Sequence, residues 1–535
     1  MNATFTRITS PILIPDLQTG LQMLARLPIA NAPQAEAELD RFFSSMLEAP
    51  PPADVYLKLL EQARVPLCFV GEELAKRYIN KPLPLATAEE DLFQRMVSTW
   101  RKAARAHRHC IQLDTSANDS ERSLHTAQHL HRCIHYAGMV ITEHHRARRE
   151  LPPEVWIELH TYYAKAEALG VAALAVADPN AQTADSASCA AAFASLLLCE
   201  LAGPYSLSVR DQNLVRRWAN SWSSIVSIHL IGHGESPPDF AIDLKKDAGL
   251  HPTPKGSPIE HLRRLNTLLL TKQLAKIRQQ LNQKIPPIQI GLGEDCTSGQ
   301  CNRLLELLSR LWSQAKAPRK FDRHATSGTA RLCTEFDAMH YFISGKEFVQ
   351  PENVQAYSRQ EFDRLFAFRH MVDPTQQLQV SQKKISFTVD YWEVVNQSAN
   401  GFRLHRSVAG RKMTHGQLLS ICPHDGEKFF LAHTTWLMQE QNGGLIAGVA
   451  ALPGIPLAIA IRPVAEEKSN WEKCSPAFML PTLRAVGSMQ SLIIPKGWYR
   501  PGRILEIHAE SKFCAQLKHV IDDGPDFEWV DFLPV

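Results

Sequence analysis

A chain of 535 residues, 44% of them apolar, is long enough for two to four domains with cores of their own. Its formal net charge of +3 gives no polyelectrolyte character, which argues against bulk attraction to a nucleic-acid polymer or insertion into a membrane. Eleven scattered cysteines, an odd number, point to reduced thiols in a cytoplasm, and Met1 to Pro15 lacks the basic segment and apolar core of a leader.

The first 285 residues read as an all-α region. Amphipathic helix is expected from Leu17 to Met46, a break at Ala49-Pro50-Pro51-Pro52, and helical periodicity from Asp54 to about Gln283. Glu154 to Gly170 has a Trp, Leu, Tyr, Ala and Gly spacing that resembles the first helix of a tetratricopeptide unit. No second copy follows at the period of about 34 residues, so the region reads as a bundle or a degenerate helix-hairpin array. Such a region is expected to offer a surface to a protein partner. Ala187 to Ala202 is apolar but broken by Ser188, Cys189, Ser195, Cys199 and Glu200, which suits a buried helix rather than a membrane span. Gly234 to Ser257 reads as a loop or short strand excursion, and Pro258 to Gln283 as a further helix through Leu262, Leu265, Leu268 and Leu269. Ile288, Ile290 and Leu292 alternate as a short strand would. Cys301 to Ala315 then forms a helix with Leu304, Leu305, Leu308 and Leu311 on one face.

That helix runs into Arg319-Lys320-Phe321-Asp322-Arg323, two arginines four positions apart ahead of a strand. Arginine presents a planar, permanently charged fork that matches phosphate oxygens and the acceptor edge of guanine. After about residue 380 the apolar period moves from 3.6 towards 2. Strands are expected at Val380–Asn396, Phe402–Leu404, Leu418–Cys422, Phe429–Met438, Gly444–Ala451 and Leu457–Arg462. A second β-rich stretch follows at Ser488–Ile494, Arg503–His508, Cys514–Val520 and Phe527–Phe532. Between the first two strands lies the polar turn Asn396-Gln397-Ser398-Ala399-Asn400-Gly401, which supplies an amide, a hydroxyl and a residue without Cβ. Together the two motifs suit a small, anionic, guanine-bearing ligand.

This pairing resembles the PilZ family of cyclic di-GMP receptors, whose pattern is R-x-x-x-R ahead of the first barrel strand and [D/N]-x-S-x-x-G at a later turn. Arg319 and Arg323 meet the first part, and Asn396, Ser398 and Gly401 the second. The resemblance covers roughly residues 315–465. It implies that both arginines clamp phosphates and guanine edges, that Asn396 and Ser398 hydrogen-bond the ligand, and that Gly401 leaves room for its approach. One departure stands out: seventy-three positions separate Arg323 from Asn396, where the family has a few tens. The excess reads as a helical insertion near 339–373.

The fold class expected is therefore α+β and multidomain: an all-α region over 1–285, a PilZ-like antiparallel β-barrel over 286–465, and a second small β-rich domain over 466–535. The function expected is that of a non-enzymatic cyclic di-GMP receptor, without a cofactor, coupled to a helical interaction region. A degenerate scaffold that binds a partner protein without nucleotide is the competing expectation. A crowd of histidines, among them His107, His125, His129, His131, His135, His144 and His145, includes two i, i+4 pairs. The pairs point to different helix faces and have no H-E-x-x-H order, so they read as solvated faces with arginine neighbours rather than a metal site. Cys296 and Cys301 have no partner pair for zinc. There is no G-x-x-x-x-G-K-[S/T] or G-x-G-x-x-G, so nucleotide hydrolysis and dinucleotide binding are not supported.

Overall fold

The computed structural model describes residues 14–113, 119–178, 187–232, 235–236, 238–253, 259–314, 323–351, 387–407, 410–464, 473–483 and 487–535. The chain divides into two compact units. The first takes the described residues up to 81, then 85–314 and 438–441; the second takes 82–84, 323–437 and 442–535.

The first unit begins with eight helices: α1 (Leu17–Ala25), α2 (Ala32–Glu48), α3 (Ala53–Tyr78), α4 (Thr87–Leu113), α5 (Asp119–Arg146), α6 (Val155–Ala168), α7 (Cys189–Leu201) and α8 (Val209–Trp222). Local chemistry sets several starts. The side chains of Asp16, Ser188 and Ser208 accept hydrogen bonds from the backbone N–H three residues on, at 2.8, 3.1 and 3.0 Å, satisfying donors that a helix N-terminus leaves open. Phe42, Phe43, Trp100 and Trp218 are among the large side chains that close one continuous core. Burying them supplies the main stabilisation, about 1.5–3 kcal/mol for each large apolar side chain.

A four-stranded antiparallel sheet follows, which an all-α reading of this region lacks. It holds β1 (Ser227–Leu230), β2 (Phe240–Asp243), β3 (Leu250–Pro252) and β4 (Leu262–Asn266) in the order β1-β4-β2-β3. Leu262 and Leu265, expected to start a helix, therefore lie on a strand. Leucines three apart suit either state, and the pairing of Ser227 with Asn266 and of Ile242 with Arg263 decides it. Helices α9 (Leu268–Asn282) and α10 (Ser298–Trp312) complete the unit. Between them the expected Ile288–Leu292 strand is a 3-10 turn at Pro287–Ile290. Pro286 and Pro287 lack the N–H a strand ladder needs, and Gly291 ends the turn at φ 77°.

The second unit contains two closed barrels. The strands of the first are β5 (His324–Ala325), β6 (Thr329–Cys333), β7 (Asp390–Ser398), β8 (Gly401–Arg406), β9 (Leu418–Cys422), β10 (Phe430–Gln439) and β11 (Leu445–Ala451). Neighbours run β5-β7-β6-β9-β10-β11-β8, and β8 returns to β7 to close the ring. β5 and β6 lie end to end along one edge of β7, β5 against Asn396 and Gln397 and β6 against Asp390 to Glu393. Helix α11 (Phe336–Ser344) follows β6 and overlaps the start of the insertion expected near 339–373; residues 352–373 of that insertion lie outside the described residues, as do 380–386 of the expected Val380–Asn396 strand.

The second barrel holds β12 (Leu457–Pro463), β13 (Ser475–Leu480), β14 (Ser491–Pro495), β15 (Ile504–His508), β16 (Lys512–Asp523) and β17 (Phe527–Pro534), in the order β12-β13-β14-β17-β16-β15. The strand expected at Leu457–Arg462 thus pairs with β13 and β15 rather than closing the first barrel, and a boundary at 465 cuts behind it. Ile459, Ile461, Leu492, Leu505, Ile507, Leu517 and Val530 fill this barrel. A second cluster joins Met339 of α11, Leu418 and Leu431 of the first barrel, and Phe478, Ile493 and Phe527 of the second.

Candidate functional site

The site is built around β7 and the hairpin that leads from it. Glu393 pairs with His405 and Val394 with Leu404, but the next partner of Arg403 is Asn396, so Val395 is an extra residue in the ladder. This β-bulge re-aims the strand. Directly opposed residues of an antiparallel pair share a face, so Asn396 and Ser398 stand on the face of Arg403 and His405, away from the buried Leu404 and Val394.

The same register brings in the arginine motif. His324 pairs with Gln397 and Ala325 with Asn396, so the exposed Arg323, the residue just before β5, lies at the Ser398 end of this ladder. Four of the five expected site residues are described: Arg323, Asn396, Ser398 and Gly401 meet at one hairpin. Arg319 lies outside the described residues.

The turn itself is pre-ordered. Ser398 pairs with Gly401, and its hydroxyl has Asn400 Oδ1 at 3.2 Å and the Gly401 carbonyl at 3.3 Å as alternative acceptors. Both are long for an O–H···O bond, so the hydroxyl can be redirected cheaply. Gly401 has a role inside the barrel: a Cβ there would stand 2.5 Å from the Val449 carbonyl oxygen of β11. The missing side chain makes room for a neighbouring strand, whatever it does for a ligand.

Two further residues belong to this face. The Arg403 guanidinium lies over the Trp436 ring, 5.9 Å from its centroid, a cation–π distance. Trp436 reaches this position because residue 448, opposite Arg403 on β11, is glycine; a Cβ there would overlap the indole nitrogen. The Arg403 Nε is buried and has no hydrogen-bond partner among the described residues. Among the described residues its charge meets no carboxylate, and Glu393 is engaged by His405 at 3.2 Å. Arg323, Arg403 and the donors of Asn396 and Ser398 therefore form a cationic, hydrogen-bonding surface with an aromatic plane beside it. Arg403 carried one legible signal, its place two residues after Gly401 on the same strand face. Trp436 carried none without the register.

The histidines behave otherwise than expected. His107, His129, His131, His144 and His145 are buried in the helical unit rather than solvated. His107 Nδ1 meets His129 Nδ1 at 3.1 Å, and His144 Nδ1 donates to the Val140 carbonyl at 2.7 Å. Carboxylates from distant segments neutralise the neighbouring arginines, as where Arg132 binds Glu61 at 2.9 Å. Burial pushes His135 down to about 3 and His144 and His160 down to about 4, so all three are neutral. Among the described residues no group of three or more His, Cys, Asp or Glu side chains is arranged to hold a metal ion. No described helix is long and apolar enough to cross a membrane.

Three family models match the chain in succession: the cyclic-di-GMP receptor FimW N-terminal domain over 18–234, the cyclic-di-GMP receptor FimW middle PilZ domain over 240–370, and the FimW C-terminal β-barrel domain over 459–535. The chain belongs to the family of PilZ-domain cyclic-di-GMP receptors. The cyclic-di-GMP receptor FimW of Pseudomonas aeruginosa (strain PAO1) is 22% identical to it, over 91% of this chain and 86% of its own. A solved structure of MrkH, described as a c-di-GMP-dependent transcription regulatory factor, overlaps 41% of this chain and 91% of its own at 9% identity, with a TM-score of 0.12. The middle PilZ match contains Arg319 and Arg323 and stops short of Asn396. The hairpin residues expected at the site, Asn396, Ser398 and Gly401, lie beyond that match.

Proposed function

We propose that this chain is a receptor for cyclic di-GMP, held on the outer face of the first barrel. Arg319 and Arg323 clamp phosphate and the Hoogsteen edge of guanine. Asn396 and Ser398 hydrogen-bond the ligand, and Arg403, backed by Trp436, offers a second guanidinium fork beside an aromatic plane. The observation that supports this reading is the β5–β7 register, in which His324 and Ala325, directly after Arg323, pair with Gln397 and Asn396 despite the long intervening segment. A ligand with two phosphates and two guanines has the charge and the acceptor edges that such a surface lacks partners for. The reading assigns binding rather than catalysis, in a cytoplasm where the cysteines stay reduced; all eleven are free thiols.

Calorimetric titration with cyclic di-GMP tests it directly. Saturable binding in the intact chain, weakened roughly tenfold or more by Arg319→Ala and by Arg323→Ala, is expected. No heat from the intact chain refutes it.

The arginine motif sits between α10 and β5, so we also propose that binding there resets the helical unit. A ligand shifts such an equilibrium only through unequal affinity for the two arrangements. Scattering profiles recorded with and without saturating ligand should differ; superposable profiles end the idea. The helical unit would then present a protein partner with exposed Leu268, Leu269 and Ile288. Crosslinking in cells should lose a partner with Leu268→Glu/Leu269→Glu, and an unchanged pattern removes this surface.

A further inference from the structure

A second candidate site lies in the helical unit and uses none of the residues assigned to the cyclic di-GMP face. A cavity of about 550 Å³ opens between α3, α5, α7 and α8, with Trp100 of α4 in its wall. That volume falls in the range of small-molecule pockets, about 300–1,000 Å³. Its origin is visible in the sequence of α7, whose facing positions are small (Ala191, Ala192 and Ser195). α3 and α8 meet across the gap through side chains, Arg216 reaching Glu72 at 3.3 Å.

The wall also carries Arg64 and His135. Arg64 is buried; its terminal nitrogens bind Glu61 and Asp178 at 3.4 and 3.1 Å, and its Nε has no partner among the described residues. His135 Nε2, also buried, has none. The charge around them is uneven. Arg132 and Arg64 share Glu61, while Arg146 and Arg216 share Glu72. Arg146 takes the shorter of the Glu72 contacts, 2.6 Å, and also binds Glu143 at 3.2 Å. Among the described residues Arg216 keeps only its single long contact. Its guanidinium is the least neutralised cation of the wall. Across from these groups, Ala191, Ala192, Leu196 and Met139 give an apolar side.

We propose that this cavity binds a small organic anion, its acid group on Arg216 and its apolar body against Ala192 and Leu196. The site is separate from the cyclic di-GMP face, and its occupancy does not depend on that reading.

Saturation-transfer NMR on the full chain tests it, with sodium benzoate as the probe and benzamide, its neutral isostere, as control. Transfer to benzoate is expected, with at least tenfold less to benzamide. Arg216→Gln should weaken benzoate binding at least tenfold, and Ala192→Phe, which fills the cavity, should abolish it. Circular dichroism melts check that each variant folds; if Arg216→Gln does not, Ala192→Phe and Ser195→Leu take its place. No transfer to the intact chain, equal transfer to benzamide, or unchanged transfer in the folded variants overturns the proposal and leaves a water-filled cavity.

Discussion

Replacing Arg403 with alanine separates a ligand-binding arginine from a structural one. In the free protein its guanidinium makes one described contact, over the Trp436 ring at 5.9 Å, and its Nε is buried without a partner. Among the described residues truncation therefore orphans no acceptor and no counter-ion. What the fold loses is the cation–π contact and some stem packing, about 0.5–2 kcal/mol, partly offset by removing an unsatisfied N–H. For a unit of this size that is a melting shift of about 2–4 °C per kcal/mol. The complex would lose in addition a bidentate contact to guanine or phosphate, about 1–3 kcal/mol, or roughly 5- to 150-fold in affinity. Arg403→Lys keeps the charge but not the fork and should recover only a minor part of the binding. Calorimetry with cyclic di-GMP and thermal melts on the same preparations give both numbers. Unchanged affinity with a large loss of stability would show that Arg403 braces Trp436 against β11 and that the ligand face lies elsewhere.

Four further outcomes follow from the same geometry. Arg323 is exposed and without an ion pair among the described residues, so Arg323→Ala should leave the melting temperature within the usual range for surface changes, about ±0.5 kcal/mol, while binding falls about tenfold. Ser398→Ala removes a hydroxyl whose own contacts are long, and should cost binding about two- to tenfold by titration with little change in urea midpoint. Gly448→Val drives a side chain into the Trp436 indole and should lower the urea midpoint by an amount equivalent to about 1–3 kcal/mol as well as weakening binding; a variant with intact stability and affinity removes the proposed role of Trp436. Acid should destabilise the helical unit: His107, His131, His135, His144 and His160 are all held below 6.5 by burial, so as pH falls below about 6.5 the unfolded chain takes up protons that the folded one refuses. Each such group contributes up to about 1.4 kcal/mol per pH unit in that window, against an opposite and smaller set from Glu36 and Glu143, whose carboxyls burial raises; equal urea midpoints at pH 7.5 and 5 would refute the assignment.

The motifs of the site were legible because they are local: two arginines at fixed spacing and an Asn-x-Ser-x-x-Gly turn are read without knowing any partner strand. What decides their meeting is not local. The bulge at Val395 exists only relative to Leu404 and Arg403 across the ladder, and a strand text with or without it reads the same. Leu457–Arg462 looked like a strand and is one, but which barrel it closes depends on β13, whose Ser475–Leu480 was not read as a strand, and on β15. Histidine-rich helix text looked solvated because its counter-charges come from Glu61 and Glu72, some seventy positions away along the chain from Arg132 and Arg146.

The long segment between Arg323 and Asn396 shows why a departure in spacing need not disturb a site. Closing a flexible loop roughly three times longer than the usual few tens of residues costs only about 1 kcal/mol of extra entropy, since the cost grows with the logarithm of length. Against it stand the ladder of β6 on β7, from Thr329 with Glu393 to Leu332 with Asp390, and the burial of Ala330, Leu332 and Trp392 beneath it. Burying a single large side chain is worth more than the whole entropic difference. Register is then set by which faces are apolar, because a slip of one residue would turn Trp392 and Val394 outward and Tyr391 and Glu393 inward. With that register held, β5 has no freedom to meet β7 anywhere but at Asn396 and Gln397, and Arg323 follows from it whatever the length of the chain between.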